Sequence, residues 1–229
     1  MVLSLSKAEV IFAVGHGLDN WVDPLAKSNN TPIIITDRNI TLQPIHPSFA
    51  DDADQQGNDP HYWLTFKNGE AIANQISADL SKKYPEDAAS FETNLKKYIA
   101  ELENHETALQ KKFSSLPRKN IATFHDAFGY FAKQYGLNIA AAFEEFPGKE
   151  PTPQYVATFT QKVKQAQIAV IFTEPQSSDA ALLPIAKDLG LKLSVLDDMG
   201  GTNDQTNSYI KMIEYNASQI ENALQQAAK

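Results

Sequence analysis

The chain has 229 residues, 42% of them hydrophobic, enough to bury an ordinary core in one large or two modest domains. A formal charge of -8, with no Lys/Arg cluster interleaved with aromatics, argues against a nucleic-acid partner and makes cations the natural ones. There is no cysteine, which excludes disulfides and thiolate metal sites; no 18-residue apolar window could span a membrane, and the first residues lack the regions of a secretory signal.

Val10 to Val14 is a continuous apolar run ended by Gly15-His16-Gly17, which predicts a buried strand and a tight turn; Leu18, Trp21, Val22 and Leu25 then recur at helical spacing. Ile33 to Thr36 predicts a second strand. The stretch from Gln43 to Pro60 is irregular and carries His46, Asp51, Asp52, Asp54 and Asp59, read as a solvated acidic loop in preference to a cation-collecting one. Ala71, Ile72, Ile76 and Leu80 predict a helix over 68–84, interrupted by Pro85. Phe91, Leu95, Tyr98, Ile99, Leu102, Leu109 and Phe113 form one stripe of a helix over 86–114, about 40 Å long at 1.5 Å per residue, enough to tie two lobes together.

After Pro117 strands and helices alternate. Strand 121–124 leads to a helix stopped by Gly136, and strand 139–143 to a helix over about 152–166 with Thr152 as N-cap and Pro153 in its first turn. Strand 168–173 is followed by a helix capped by Ser177 or Ser178 and ended by Gly190, then strand 191–196 and a last helix over about 207–227. This order predicts an α/β architecture with parallel, doubly covered sheets and right-handed crossovers. The expected division is a first lobe over 1–85, a linking helix over 86–116 and a second α/β lobe over 117–229.

Each strand exit in the second half carries a titratable group: His125, Glu144 with Glu145, Glu174, and Asp197 with Asp198. In a parallel sheet these exits share the edge where ligands bind. For any one carboxylate a solvated or capping role is the plainer reading, but His125 and Asp197 are short side chains placed directly at strand ends. In the first half His61 stands between Pro60 and the aromatics Tyr62 and Trp63, in a rigid setting that suits a ligand and equally a packed histidine. His16 is ambiguous between its two glycines, while His46 and His105 read as surface or packing residues. A dinucleotide fingerprint at Gly15-x-Gly17 with Asp37 fails at its third glycine, which is Asn20, and Trp21 and Pro24 would crowd a pyrophosphate.

These motifs resemble the extracytoplasmic solute-binding proteins of zinc and manganese ABC transporters. Phe12 to Trp21 is similar to that family's strand and NGxGLE turn, Asp59-Pro60-His61-Tyr62-Trp63-Leu64 to its DPHxWL motif, and Thr123 to Phe131 to its TxHxAFxYF motif. Phe172-Thr173-Glu174-Pro175-Gln176 resembles its FxEPQ segment and Leu196-Asp197-Asp198-Met199-Gly200 its LDPLG segment. The resemblance implies two doubly wound parallel-sheet lobes joined by one long rigid helix, with an ion in the cleft between them. It implies His61, His125 and Asp197 as metal ligands, no catalytic residues, an ABC permease as partner, a periplasmic or extracytoplasmic location and a monomeric chain. The family's first ligand histidine precedes the NGxGLE turn, and this sequence starts after it, so an incomplete first lobe is expected, with His16 or water in the fourth position. Imidazole-rich ligation favours Zn2+ over Mn2+, because the manganese members tend to carry a carboxylate where this chain has His125. The competing function is a zinc-dependent hydrolase using the open three-ligand site, with Glu174 as its base; a third is an adhesin-like surface module.

Overall fold

A computed structural model describes residues 7–45, 57–144 and 151–226. His46, Asp51, Asp52, Asp54 and Glu145 lie outside the described residues, so the solvated acidic loop is addressed only at its end, where Asp59 is buried rather than solvated because it is engaged by His61.

Two short parallel strands open the chain, β1 (Ile11–Ala13) and β2 (Ile33–Ile35), in register Ile11 to Ile33. Between them a 3-10 turn (Asn20–Val22) leads into α1 (Asp23–Asn29), which has Pro24 in its first turn and ends on a left-handed Asn30. Among the described residues this sheet has two strands. Two segments then run side by side, with an antiparallel bridge from Pro44 to Asn58 and Asp59 N donating to Gln43 O at 2.8 Å. They deliver the chain to α2 (Phe66–Lys83), whose N-cap Thr65 accepts from Asn68 N.

Proline at 85 starts a 3-10 turn, Pro85–Asp87, because its ring cannot continue the helix; α3 (Ala88–Ser114) follows with 27 residues, about 40 Å. The long helix lies along α2 at one end and against the second lobe at the other. Its Leu102, Leu109 and Phe113 are buried there, as the apolar stripe predicts.

The second sheet is fully parallel. Its strands β3 (Asn120–Thr123), β4 (Asn138–Ala142), β5 (Val170–Thr173) and β6 (Lys192–Val195) lie in the order β4-β3-β5-β6. Helices α4 (Gly129–Tyr135), α5 (Pro153–Gln165), α6 (Leu182–Leu189) and α7 (Tyr209–Gln226) cover it. Strand side chains alternate between faces, so Ile121, Val170 and Phe172 pack with residues of α3, α4 and α7, while Ala122 and Ile171 pack with Phe159, Val163 and Leu182 of α5 and α6. This is the doubly covered sheet expected from the sequence.

Gly136 and Gly190 close α4 and α6 at φ 66°, and Thr152 caps α5 through Tyr155 N. One cap differs from expectation. Helix α6 starts at Leu182 without a side-chain cap rather than after Ser177 or Ser178: the Ser177 hydroxyl donates to Glu174 Oε2 at 3.3 Å, and Ser178 Oγ accepts from Ala180 N at 3.4 Å, ahead of the helix.

Candidate metal centre

His61 comes from the loop that enters α2. The Asp59 carboxylate folds back on it as an Asx turn, Oδ1 accepting from His61 N at 2.9 Å and meeting His61 Nδ1 at 2.7 Å. Asp59 is itself held in place: Tyr130 of α4 donates its hydroxyl to Asp59 O at 3.0 Å and accepts from Gln43 N at 2.9 Å. The ring of His61 is buried at 9% exposure and lies 5.3 Å from Trp63.

His125 sits two residues beyond β3, buried, with Nδ1 against Glu174 Oε1, off the line along which a ring N–H would point. His125 N also donates to Glu174 Oε1 at 3.4 Å, and the other carboxylate oxygen faces Ser177 Oγ at 3.3 Å and Gln176 Nε2 at 3.5 Å. Burial pushes the imidazole pKa down, but the Glu174 carboxylate, joined by the charges of Asp198 and Asp126, outweighs that and leaves it above its ordinary value. The neighbouring Asp126 is pushed up to about 7 by burial and then by the charge of Asp59.

The two rings meet across the cleft. Their Nε2 atoms are 3.4 Å apart and their centroids 5.2 Å. With each Nδ1 turned to a carboxylate, both Nε2 atoms face the shared space. Two facing ring nitrogens at this distance repel unless a proton or a cation lies between them. Two imidazoles on one tetrahedral zinc, with Zn–N near 2.0–2.1 Å, have nitrogens about 3.3–3.4 Å apart. The separation in this cleft is the same.

The third member of the cluster is Asp198. Among the described residues His61, His125 and Asp198 form the one group whose ligand atoms all lie within 4.8 Å of one another. Asp198 Oδ1 accepts from Gln176 Nε2 at 2.6 Å, and its backbone carbonyl from Trp63 Nε1 at 2.8 Å.

Asp197, the residue picked out by the LDPLG resemblance, is placed differently. Its carboxylate turns into its own loop, Oδ1 accepting from Met199 N at 3.2 Å and Gly200 N at 2.7 Å, and Oδ2 from Thr202 Oγ1 at 2.6 Å. Burial raises its pKa, yet these donors together hold it below the usual range. The side chain of Asn216 on α7 brackets the Asp197 backbone from both sides, at 2.8 Å and 2.7 Å. Consecutive side chains leaving a strand point in opposite directions, so a one-residue step decides which aspartate reaches the cleft.

His16 is directed elsewhere: at φ 54° its Nε2 meets Asp37 Oδ2 at 3.0 Å, outside the His61, His125 and Asp198 cluster. His105 pairs with Glu214 at 2.6 Å and packs on Phe66, in keeping with a packing role. Asp59, Gln176 and Asn216 were not singled out for these duties by sequence reasoning. The local signal for Asp59 is its place two residues before a histidine, whereas Asn216 is 19 residues from its partner and carries no such mark.

A family model described as ZnuA, zinc-uptake complex component A, periplasmic, matches residues 1–223. The chain belongs to the ZnuA family. It is 28% identical to the metal ABC transporter substrate-binding lipoprotein SloC of Streptococcus mutans, over 98% of this chain and 76% of SloC. It is also 28% identical to the manganese ABC transporter substrate-binding lipoprotein PsaA of Streptococcus mitis, over 97% of this chain and 75% of PsaA. The crystal structure of the Zn(II)-bound AdcAII E280Q variant of Streptococcus pneumoniae superposes with a TM-score of 0.82 at 27% identity, covering 97% of this chain and 83% of that one. ZnuA-family membership makes this a substrate-binding component of metal ABC transport, and the family's members are binding proteins rather than enzymes. In the site itself Glu174, the base named for a hydrolase, is committed to the His125 ring.

Proposed function

We propose that this ZnuA-family chain captures a divalent transition metal, zinc in preference to manganese, in the cleft between lobes 1–85 and 117–229, and hands it to an ABC permease on the extracytoplasmic side of a membrane. The chain acts as a monomer, with 86–116 as a rigid tie that restricts opening to small loop and lobe shifts. His61 and His125 supply Nε2, Asp198 supplies a carboxylate oxygen, and water fills the fourth position of a tetrahedral ion. Asp197 holds the loop that presents Asp198.

The observation that carries this reading is the pair of Nε2 atoms 3.4 Å apart, each on a ring whose Nδ1 is turned to a carboxylate. That arrangement orients both rings and sets the facing nitrogens in position before the ion arrives. Two imidazoles without a thiolate suit zinc, whereas manganese prefers more oxygen donors. The relatives support the coarser part, since PsaA is named for manganese and AdcAII was crystallised with Zn(II).

The test is a competitive zinc titration of the intact chain beside His61→Ala, His125→Ala, Asp197→Ala and Asp198→Ala. One-to-one binding, lost in both histidine variants and weakened more by Asp198→Ala than by Asp197→Ala, is the expected result. Weak binding indifferent to both histidines overturns the site, and the reverse order of the aspartates overturns the assignment of Asp198.

A further inference from the structure

Trp63 is the one side chain of the His61 loop that reaches the Asp198 backbone among the described hydrogen bonds. Its indole touches the His61 ring at 5.3 Å between centroids, and its Nε1–H donates to Asp198 O at 2.8 Å, a link across 135 residues of sequence. Its own backbone is anchored in turn. The Tyr209 hydroxyl, from the start of α7, points at Trp63 O at 2.8 Å and at Thr65 O at 2.6 Å. Gly69 leaves room for that phenol: a Cβ there would stand 2.4 Å from the Tyr209 oxygen.

The histidine and the aspartate of the cluster come from distant parts of the chain and are bridged by a short chain of contacts running from Tyr209 through Trp63 to Asp198. We infer that Trp63 is a positioning residue that determines ion selectivity, acting through His61 and Asp198 to keep the ligand cage at the spacing of a four-coordinate ion. This rests on the reading of the cleft as a metal site. When the indole N–H is lost, the 198 loop moves away from His61 and the cage loosens and admits water. Zinc in a tetrahedral site loses by that change, while manganese, which takes more oxygen donors, is little affected or gains.

The experiment measures zinc and manganese dissociation constants separately by chelator competition on the intact chain, for wild type, Trp63→Phe and Tyr209→Phe, together with the melting midpoint of each metal-free protein. Trp63→Phe keeps an aromatic ring against His61 and removes the donor together with part of the indole's bulk, which the metal-free midpoint registers; Tyr209→Phe removes only the anchoring hydroxyl. Loss of one net hydrogen bond corresponds to a roughly 2- to 13-fold loss in zinc affinity. We expect a zinc loss in that range for Trp63→Phe, a smaller one in the same direction for Tyr209→Phe, and manganese affinity either raised or lowered less than twofold in each. Equal losses for both metals, tracking a drop in the metal-free midpoint, mean a merely structural contact and overturn the inference, as does an unchanged zinc-to-manganese ratio. Should Trp63→Phe fail to fold, the ratio in Tyr209→Phe decides alone. Absence of metal binding in the wild type overturns the underlying reading and this inference together, whereas tight wild-type binding with an unmoved ratio overturns only the inference.

Discussion

Replacing Asp59 by Ala removes the group that orients His61 without touching either imidazole. Its Oδ1 accepts from His61 N at 2.9 Å and meets Nδ1 at 2.7 Å, and it is buried at 7% exposure, so water does not readily take its place. A hydrogen bond to a charged group contributes about 1.5–3 kcal/mol, and only the one to Nδ1 bears on the ring. Losing it lowers zinc affinity by about 10- to 100-fold, in line with the effect of removing a group behind a metal-bound histidine. Asp59→Asn keeps an acceptor of similar shape but not the charge, and its loss is about tenfold or less. The path of the loop persists in both variants because Tyr130 holds Asp59 through the backbone carbonyl. The assay is chelator competition for zinc at fixed pH, with circular dichroism to verify the fold. Zinc affinity in Asp59→Ala within twofold of wild type would refute the reasoning, since His61 would then need no orienting partner.

Other consequences concern packing, protons and the ion itself. Gly69→Ala places a Cβ 2.4 Å from the Tyr209 oxygen and 2.8 Å from two ring carbons. Overpacking of about 1–3 kcal/mol and a lost hydrogen bond of about 1 kcal/mol outweigh the gain of about 1 kcal/mol from replacing a helical glycine. Denaturant unfolding is expected to show a net loss of about 1–3 kcal/mol; a variant as stable as wild type would mean that Tyr209 is free to move. Zinc affinity falls as pH is lowered, because ligand nitrogens must be deprotonated. His125 has its pKa above the ordinary value of 6.5, so the fall begins at a higher pH than for an unperturbed histidine, which a titration at stepped pH would detect. Zinc at 1,000 times its dissociation constant raises stability by about 4 kcal/mol, a rise in melting midpoint of roughly 8–16 °C for a chain of this size. A chelator reverses it, and the rise disappears in His61→Ala.

Much of the architecture was legible locally. Short apolar runs and period-3.6 patterns, with Gly136, Gly190 and Thr152 as boundary residues, marked the strands and helices of the second half to within a few residues, because those strands are covered on both faces and the helices on one. The stripe from Phe91 to Phe113 marked the long helix for the same reason, and the DPHxWL and TxHxAFxYF likenesses pointed to His61 and His125, the pair now seen face to face. Tertiary structure decided what depends on distance along the chain. Whether Asp197 or Asp198 enters the cleft turns on a one-residue alternation and on which of them the loop amides and Asn216 capture. The donors that tie the lobes, Tyr130 to Asp59, Trp63 to Asp198 and Tyr209 to Trp63, act over 71, 135 and 146 residues. No periodicity or spacing records such pairs, since each partner alone is an ordinary aromatic beside an ordinary peptide, and only folding brings donor and carbonyl to within 3 Å.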